Sequence, residues 1–189
     1  MGNSTREKII EYISDLKALL EKMPVEDIHR VVSLLEKTRE SKGHVFIFGN
    51  GGSAATASHF ACDLSKGTIS EGKQRIKVFA LTDNVHLLTA WANDSSYDMV
   101  FSEQMKNYIE PGDVVIAISG SGNSPNVLNG IDVAKRKDAT TIGFIGFDGG
   151  KLKDVVDIAV IAPIHDMEKA EDIHLLFEHI VTACLREGV

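Results

Sequence analysis

Residues 44–67, HVFIFGNGGSAATASHFACDLSKG, constrain the fold more than any other stretch of this chain. His44 to Phe48 is a short apolar run of the kind found in a parallel strand covered on both faces, and it stops at Gly49-Asn50-Gly51-Gly52-Ser53. Three glycines in four positions admit positive φ and close backbone approach. The alanine-rich run from Ala54 to Leu64 predicts a helix, so free N–H groups and the positive end of a helix dipole meet at the glycine turn. Strand, turn and helix in that order form a cradle suited to phosphate.

The same unit recurs downstream. Val114 to Ile118 reads as a strand entered through the turn Pro111-Gly112-Asp113, and it ends at Ser119-Gly120-Ser121-Gly122-Asn123-Ser124. A helix is predicted from Pro125 to Lys137, with proline in its first turn. Further strands are predicted at Ile76–Leu81, Thr140–Ile145 and Asp157–Ala162, and helices at Asn84–Ala92, Tyr97–Tyr108 and Met167–Arg186. Ahead of the first strand, Ser4 and Glu7 have capping-box spacing, and Ile9, Ile10, Ile13, Leu16, Leu19 and Leu20 recur on one helical face. A second amphipathic helix runs from Pro24 to about Lys42. Alternating strands and helices imply an α/β fold, a doubly wound, five-stranded, mainly parallel sheet. The chain reads as a single domain, 1–189, with residues 1–42 an N-terminal helical pair and 43–189 the α/β core. Since that pair precedes the sheet, its apolar faces wrap the domain edge or, as the expectation here, pack against another subunit.

Composition restricts the partners. The 27 acidic and 20 basic residues give a net charge of −7 with no Lys/Arg block, which argues against nucleic acid and anionic membranes. Cys62 and Cys184 both fall in helix-like segments and are expected to be reduced, buried thiols of a cytosolic protein. MGNSTREKIIEYI lacks a signal-peptide apolar core, and no segment approaches the roughly 20 apolar residues of a membrane span. A soluble, cytoplasmic protein is expected.

In a parallel α/β sheet, ligands bind beyond the carboxyl ends of the strands, where both Gly/Ser loops fall. Ser119, Ser121 and Ser124 hydroxyls, with backbone N–H groups at the start of the following helix, suffice to surround a phosphate without a positive side chain. Gly49-x-Gly51-x-x-Ala54 also satisfies a loose dinucleotide fingerprint, but the acidic residue that would hold a ribose is displaced to Asp83, so the spacing test fails. His59 and Asp63 are four apart and share a helical face; in the last helix Glu171 and His179 align, with His174 close by. Two helices could thus supply two histidines and two carboxylates to a divalent ion, although His59/Asp63 taken alone reads more readily as a surface or capping pair than as a metal site. Asn93-Asp94 fits an ordinary helix end.

The blocks GNGGSAATASHFACDL, Asn93-Asp94, GDVVIAISGSGNSPNVL, DGGKL and EDIHLLFEHIV together resemble the sugar isomerase (SIS) domain family, specifically the phosphoheptose isomerases, in order over nearly the whole chain. The resemblance implies a homotetramer with a central helical bundle and active sites between subunits, interconverting sedoheptulose 7-phosphate and D-glycero-D-manno-heptose 7-phosphate. It implies phosphate on Ser53, Ser119, Ser121 and Ser124, with Gly120 beside them, and sugar hydroxyls on Asn50, Gly51, Gly52, Asn93 and Asp94, with Glu171 also at the substrate. It implies one zinc ion per subunit on His59, Asp63, Glu171 and His179, with Asp63 and His179 as the acid–base pair. Three positions depart from the family pattern. Asp63 replaces the usual glutamate and is one methylene shorter, requiring a closer substrate or a shifted helix. Glu171 replaces a glutamine, adding negative charge that favours a divalent ion. Gly67 stands where a basic residue is common. The alternatives are a non-catalytic SIS protein, such as the initiator-associating protein that binds the replication initiator DnaA, a phosphosugar sensor, or an isomerase of another ketose phosphate. That initiator-associating relative lacks the carboxylate and histidine found here at Asp63 and His179.

Overall fold

The structure, a computed structural model, describes residues 4–187; the first three and last two residues of the single domain expected over 1–189 lie outside the described residues. Two helices, α1 (Thr5–Leu20) and α2 (Val25–Ser41), precede the sheet. The Ser4/Glu7 capping box is formed in both directions, Glu7 N–H donating to Ser4 Oγ and Ser4 N–H to the Glu7 carboxylate. The two helices differ in what they bury. Helix α2 places Ile28, Val31, Val32 and Leu35 in the domain core, whereas in α1 only Leu19 is buried. Ile9, Ile10 and Ile13 of α1 stand exposed. The second helix therefore wraps its own domain, and the first leaves an apolar face outward.

The sheet comprises β1 (His44–Gly49), β2 (Lys77–Ala80), β3 (Val114–Ser119), β4 (Thr140–Ile145) and β5 (Ile158–Ile161), all parallel, in the order β2-β1-β3-β4-β5. Alternation along β1 sends Val45 and Ile47 into one core and Phe46 and Phe48 into the other. The first core is roofed by α2, α3 (Gly52–Cys62) and α7 (Met167–Glu187), after α4 (Val85–Asp94) and the short α5 (Ser102–Met105) have been placed in the chain. The second is roofed by α5 and α6 (Pro125–Arg136). Asp113 ties the strand starts together, its carboxylate accepting from the N–H groups of His44 (2.8 Å) and Glu110 (2.8 Å).

Helix α6 lies directly on β1. A Cβ at Gly130 would fall 2.6 Å from the ring of Phe48, which is itself stacked on Phe101 at 4.9 Å. Only hydrogen fits there, and the close approach fixes the height of α6 and hence of the loop before it.

Three expectations change. The segment 97–108, expected as one helix, is a 3₁₀ turn at Tyr97–Met99 followed by the four-residue α5, because its apolar residues plug the second core rather than line one face. The helix expected through Leu64 leaves α geometry at Asp63 and continues as a π-helical turn, Asp63–Gly67. Cys62 and Cys184, expected to be buried, are both exposed free thiols, since each faces away from its helix's core side. Among the described residues no helix is long and apolar enough to cross a membrane. Replacing Gly130 by Val should overpack the α6–β1 contact and lower stability by about 1–3 kcal/mol, read as a lower urea midpoint with an unchanged m-value.

Candidate active site

Strand β1 leads to α3 on one face of the sheet and β3 leads to α6 on the other, so the crevice between β1 and β3 is the topological switch point. Both Gly/Ser loops open into it. Together they wall a cavity of about 240 Å³ built from Asn50 to Ser53 on one side and Ser119, Gly120, Ser121 and Ser124 on the other, closed by Met167 and Glu171 of α7. No lysine or arginine is in this wall among the described residues. An anion in this pocket would meet hydroxyls, the glycine-loop amides and the N-termini of α3 and α6. Gly51 (φ 54) and Gly122 (φ 65) hold backbone conformations that a side chain would strain, and a Cβ on Gly122 would meet the Gly149 carbonyl at 2.2 Å. The Asp148-Gly149-Gly150 connection thus braces the second loop from behind.

The loops are clamped to each other. Asn50 Nδ2 donates to Asn126 Oδ1 (2.9 Å), Asn126 Nδ2 donates to Asn50 Oδ1 (2.8 Å), and the Tyr97 hydroxyl donates to the same Asn50 oxygen (2.9 Å). Both lone pairs of the Asn50 carbonyl are used, leaving one side-chain N–H for a ligand. In the second loop Ser119 Oγ accepts from Gly122 N–H (3.1 Å) and Ser121 Oγ from Asn123 N–H (3.3 Å), which leaves each hydroxyl proton free to donate.

The other group of chemistry-bearing residues lies along α3 and α7, which run side by side in parallel. Glu171 meets the start of α3 at Gly52, and one seven-residue step further Glu178 meets His59. His59, Asp63, Glu178 and His179 bring one ligand atom each within 4.8 Å of one another. Glu178 Oε1 lies 3.5 Å from His59 Nδ1 and 3.3 Å from His179 Nε2, and His59 Nε2 lies 3.9 Å from Asp63 Oδ1. The two imidazoles meet edge to face with centroids 5.1 Å apart. Glu178 is fully buried and neither of its oxygens has a hydrogen-bond partner. Burial, helped by the charge of Asp63, raises its carboxyl from the ordinary 4.5 to about 8. An orphaned buried carboxylate between two histidines and a second carboxylate is a donor set that fits a divalent ion such as zinc.

Measured against the sequence, Ser53, Ser119, Ser121, Ser124, Gly51, Gly52 and Gly120 come together in one pocket, and His59, Asp63 and His179 in one cluster. Glu171 is not brought into that cluster; it stands in the wall of the serine pocket, and Glu178 takes the fourth place. The Glu178-His179 pair was visible in the sequence, seven residues after Glu171, but the side of α7 facing α3 was not. Asn93 and Asp94 sit at the exposed end of α4, bonded to each other (2.8 Å), four and three residues before Tyr97. His174 is wholly buried, and burial lowers it to about 4, so it is a neutral core residue. Tyr97 and Asn126 were missed because polar residues in a loop and a helix's first turn carry no spacing signal.

The SIS domain family matches residues 11–146 of this chain. The chain is 37% identical over 184 residues to the phosphoheptose isomerase of Trichlorobacter lovleyi, covering 96% of this chain and 93% of that protein. It is 36% identical over 185 residues to the phosphoheptose isomerase of Helicobacter pylori, covering 98% and 95%. The structure of phosphoheptose isomerase GmhA from Neisseria gonorrhoeae superposes with a TM-score of 0.91 at 29% identity, covering 98% of this chain and all of that one. This chain belongs to the SIS-domain family, among the phosphoheptose isomerases.

The raised Glu178 carboxyl gives a stability prediction for chelator-treated protein. The folded state holds that proton more tightly than the unfolded chain, so stability should fall as pH rises from about 4.5 to about 8 and then level off. Glu178→Gln should remove most of that slope in thermal melts across this range.

Proposed function

We propose that this protein is an aldose–ketose isomerase that converts sedoheptulose 7-phosphate to D-glycero-D-manno-heptose 7-phosphate through a cis-enediol. The observation that carries this reading is the spacing of two sites on one pair of helices. The serine pocket lies at Gly52 and Glu171, and the His59/Asp63/Glu178/His179 cluster lies one seven-residue step along both helices. At 1.5 Å per residue that step is about 10 Å, the reach of an extended phosphorylated sugar held by its phosphate. The names of the curated relatives support the same substrate class.

Phosphate is held by Ser53, Ser119, Ser121 and Ser124 with the loop amides, and it fixes the chain in register. Gly51, Gly52 and the remaining Asn50 N–H face the sugar backbone, and Asn93 and Asp94 take its hydroxyls. Asp63 accepts the proton from the carbon beside the carbonyl and returns it to the neighbouring carbon, while His179 moves a proton between the two oxygens. Glu178, in contact with both imidazoles, orients them. Zinc held by His59, Asp63, Glu178 and His179 would polarise the two oxygens as charge develops on them. A π-helical turn begins at Asp63, and widening the turn changes where that carboxylate is delivered.

The protein acts in the cytoplasm as a homotetramer with zinc in each subunit. Support for assembly comes from α1, whose Ile9 and Ile13 are 56% and 61% exposed on the same face. A monomer has nothing to gain from that stripe.

NMR of purified protein with sedoheptulose 7-phosphate should show aldoheptose anomeric signals that disappear on chelation and return with zinc; binding without turnover would point instead to a sensor or another sugar. Asp63→Asn should lower turnover by about 10²-fold or more with the fold intact, and near-normal turnover would remove Asp63 from the chemistry. Ile9→Lys with Ile13→Lys should convert the tetramer to smaller species in sedimentation velocity.

A further inference from the structure

Glu171 is the one charged side chain in the wall of the serine pocket among the described residues. Its carboxyl atoms lie 2.3–2.4 Å from the point where a Cβ on Gly52 would be, so the group presses on the α-carbon of the first residue of α3. That is where the unpaired N–H groups and the partial positive charge of α3 are gathered. An anion bound to those N–H groups would need the same place. Glycine at position 52 is what allows the contact; any side chain there would expel the carboxylate.

The carboxylate is also poorly stabilised where it sits. Partial burial, then the neighbouring charges of Glu168 and Asp172, raise its carboxyl above the ordinary range, and no basic residue in the wall offsets it. The backbone beneath it is nonetheless held firmly. Lys169 Nζ reaches Asp15 (2.7 Å) and Asp166 (3.0 Å), and the Tyr12 hydroxyl donates to Asp172 (2.6 Å), pinning the first turns of α7 against α1. Relief therefore comes from side-chain rotation rather than from movement of the helix.

We propose that Glu171 is an occluding residue: in the free protein its carboxylate occupies the anion position at the start of α3, and a phosphate group binds only by displacing it. Glu171 thus sets how weakly the pocket holds phosphate and selects ligands whose remaining contacts repay the displacement. The proposal rests on the reading of this pocket as a phosphate site, and the experiment separates the two.

Inorganic phosphate is titrated calorimetrically into the full chain and into Glu171→Ala and Glu171→Gln at fixed pH and ionic strength, with thermal melts to show that each is folded. Glu171→Ala, which removes both bulk and charge, should bind phosphate about tenfold or more tightly than the parent, the scale of a like charge a few ångströms away at a partly exposed site. Glu171→Gln, which keeps the bulk, should fall between, and it serves alone if the alanine variant does not fold. Equal or weaker binding by the variants overturns the occluding role while leaving the phosphate pocket in place. Absence of phosphate binding in all three proteins overturns the pocket reading, and the proposal with it.

Discussion

The site depends on α3 and α7 running in parallel at close quarters, with matching residues seven apart on each. Gly52 lets α7 approach the start of α3, His59 meets Glu178 midway, and at the far end Arg186 Nε donates to the Gly67 carbonyl at 2.9 Å. A step of seven residues turns an α-helix through nearly two full turns, so both contacts fall on the same stripe of each helix. The serine pocket and the His59/Asp63/Glu178/His179 cluster are therefore placed in line by helix geometry alone. Any shift of one helix along the other by a single residue would move the two ends out of register together.

The sheet supplies the other half of the geometry. With β1 and β3 adjacent and their following helices on opposite faces, the two Gly/Ser loops diverge from one crevice without a long connection. The reciprocal Asn50–Asn126 pair and the Tyr97 hydroxyl hold that crevice at a fixed width. Hydroxyls and amides gain from such rigidity, because preset donors need no reorganisation to meet a charge. In a chain of net charge −7, an anion in this wall would meet preset donors without any basic side chain.

Function and stability pull against each other at Glu178. A carboxylate with two unpartnered oxygens inside the domain is among the costly groups a fold can carry, and replacing it would relieve the chain. Two imidazoles and Asp63 converge on it, and a divalent cation would satisfy its oxygens and offset the repulsion from Asp63 at once.

Much of this was legible in the residues themselves. Local signals are strong where one residue type has one physical use: the Ser4/Glu7 capping box, the glycine turn after Phe48, and the apolar runs of β1 and β3. Those fix helices, strands, the switch-point loops and the class of ligand. What the chain could not declare were relations between segments distant in sequence. Whether Glu171 or Glu178 joins the histidines depends on the rotation of α7 against α3, which is set by packing of Ile173, Phe177 and Val181 into the core. The π-helical turn at Asp63, the exposure of both cysteines and the breakup of 97–108 likewise follow from how surfaces meet. Periodicity gives each helix its apolar face, but only the assembled core decides which neighbour that face meets and at what angle.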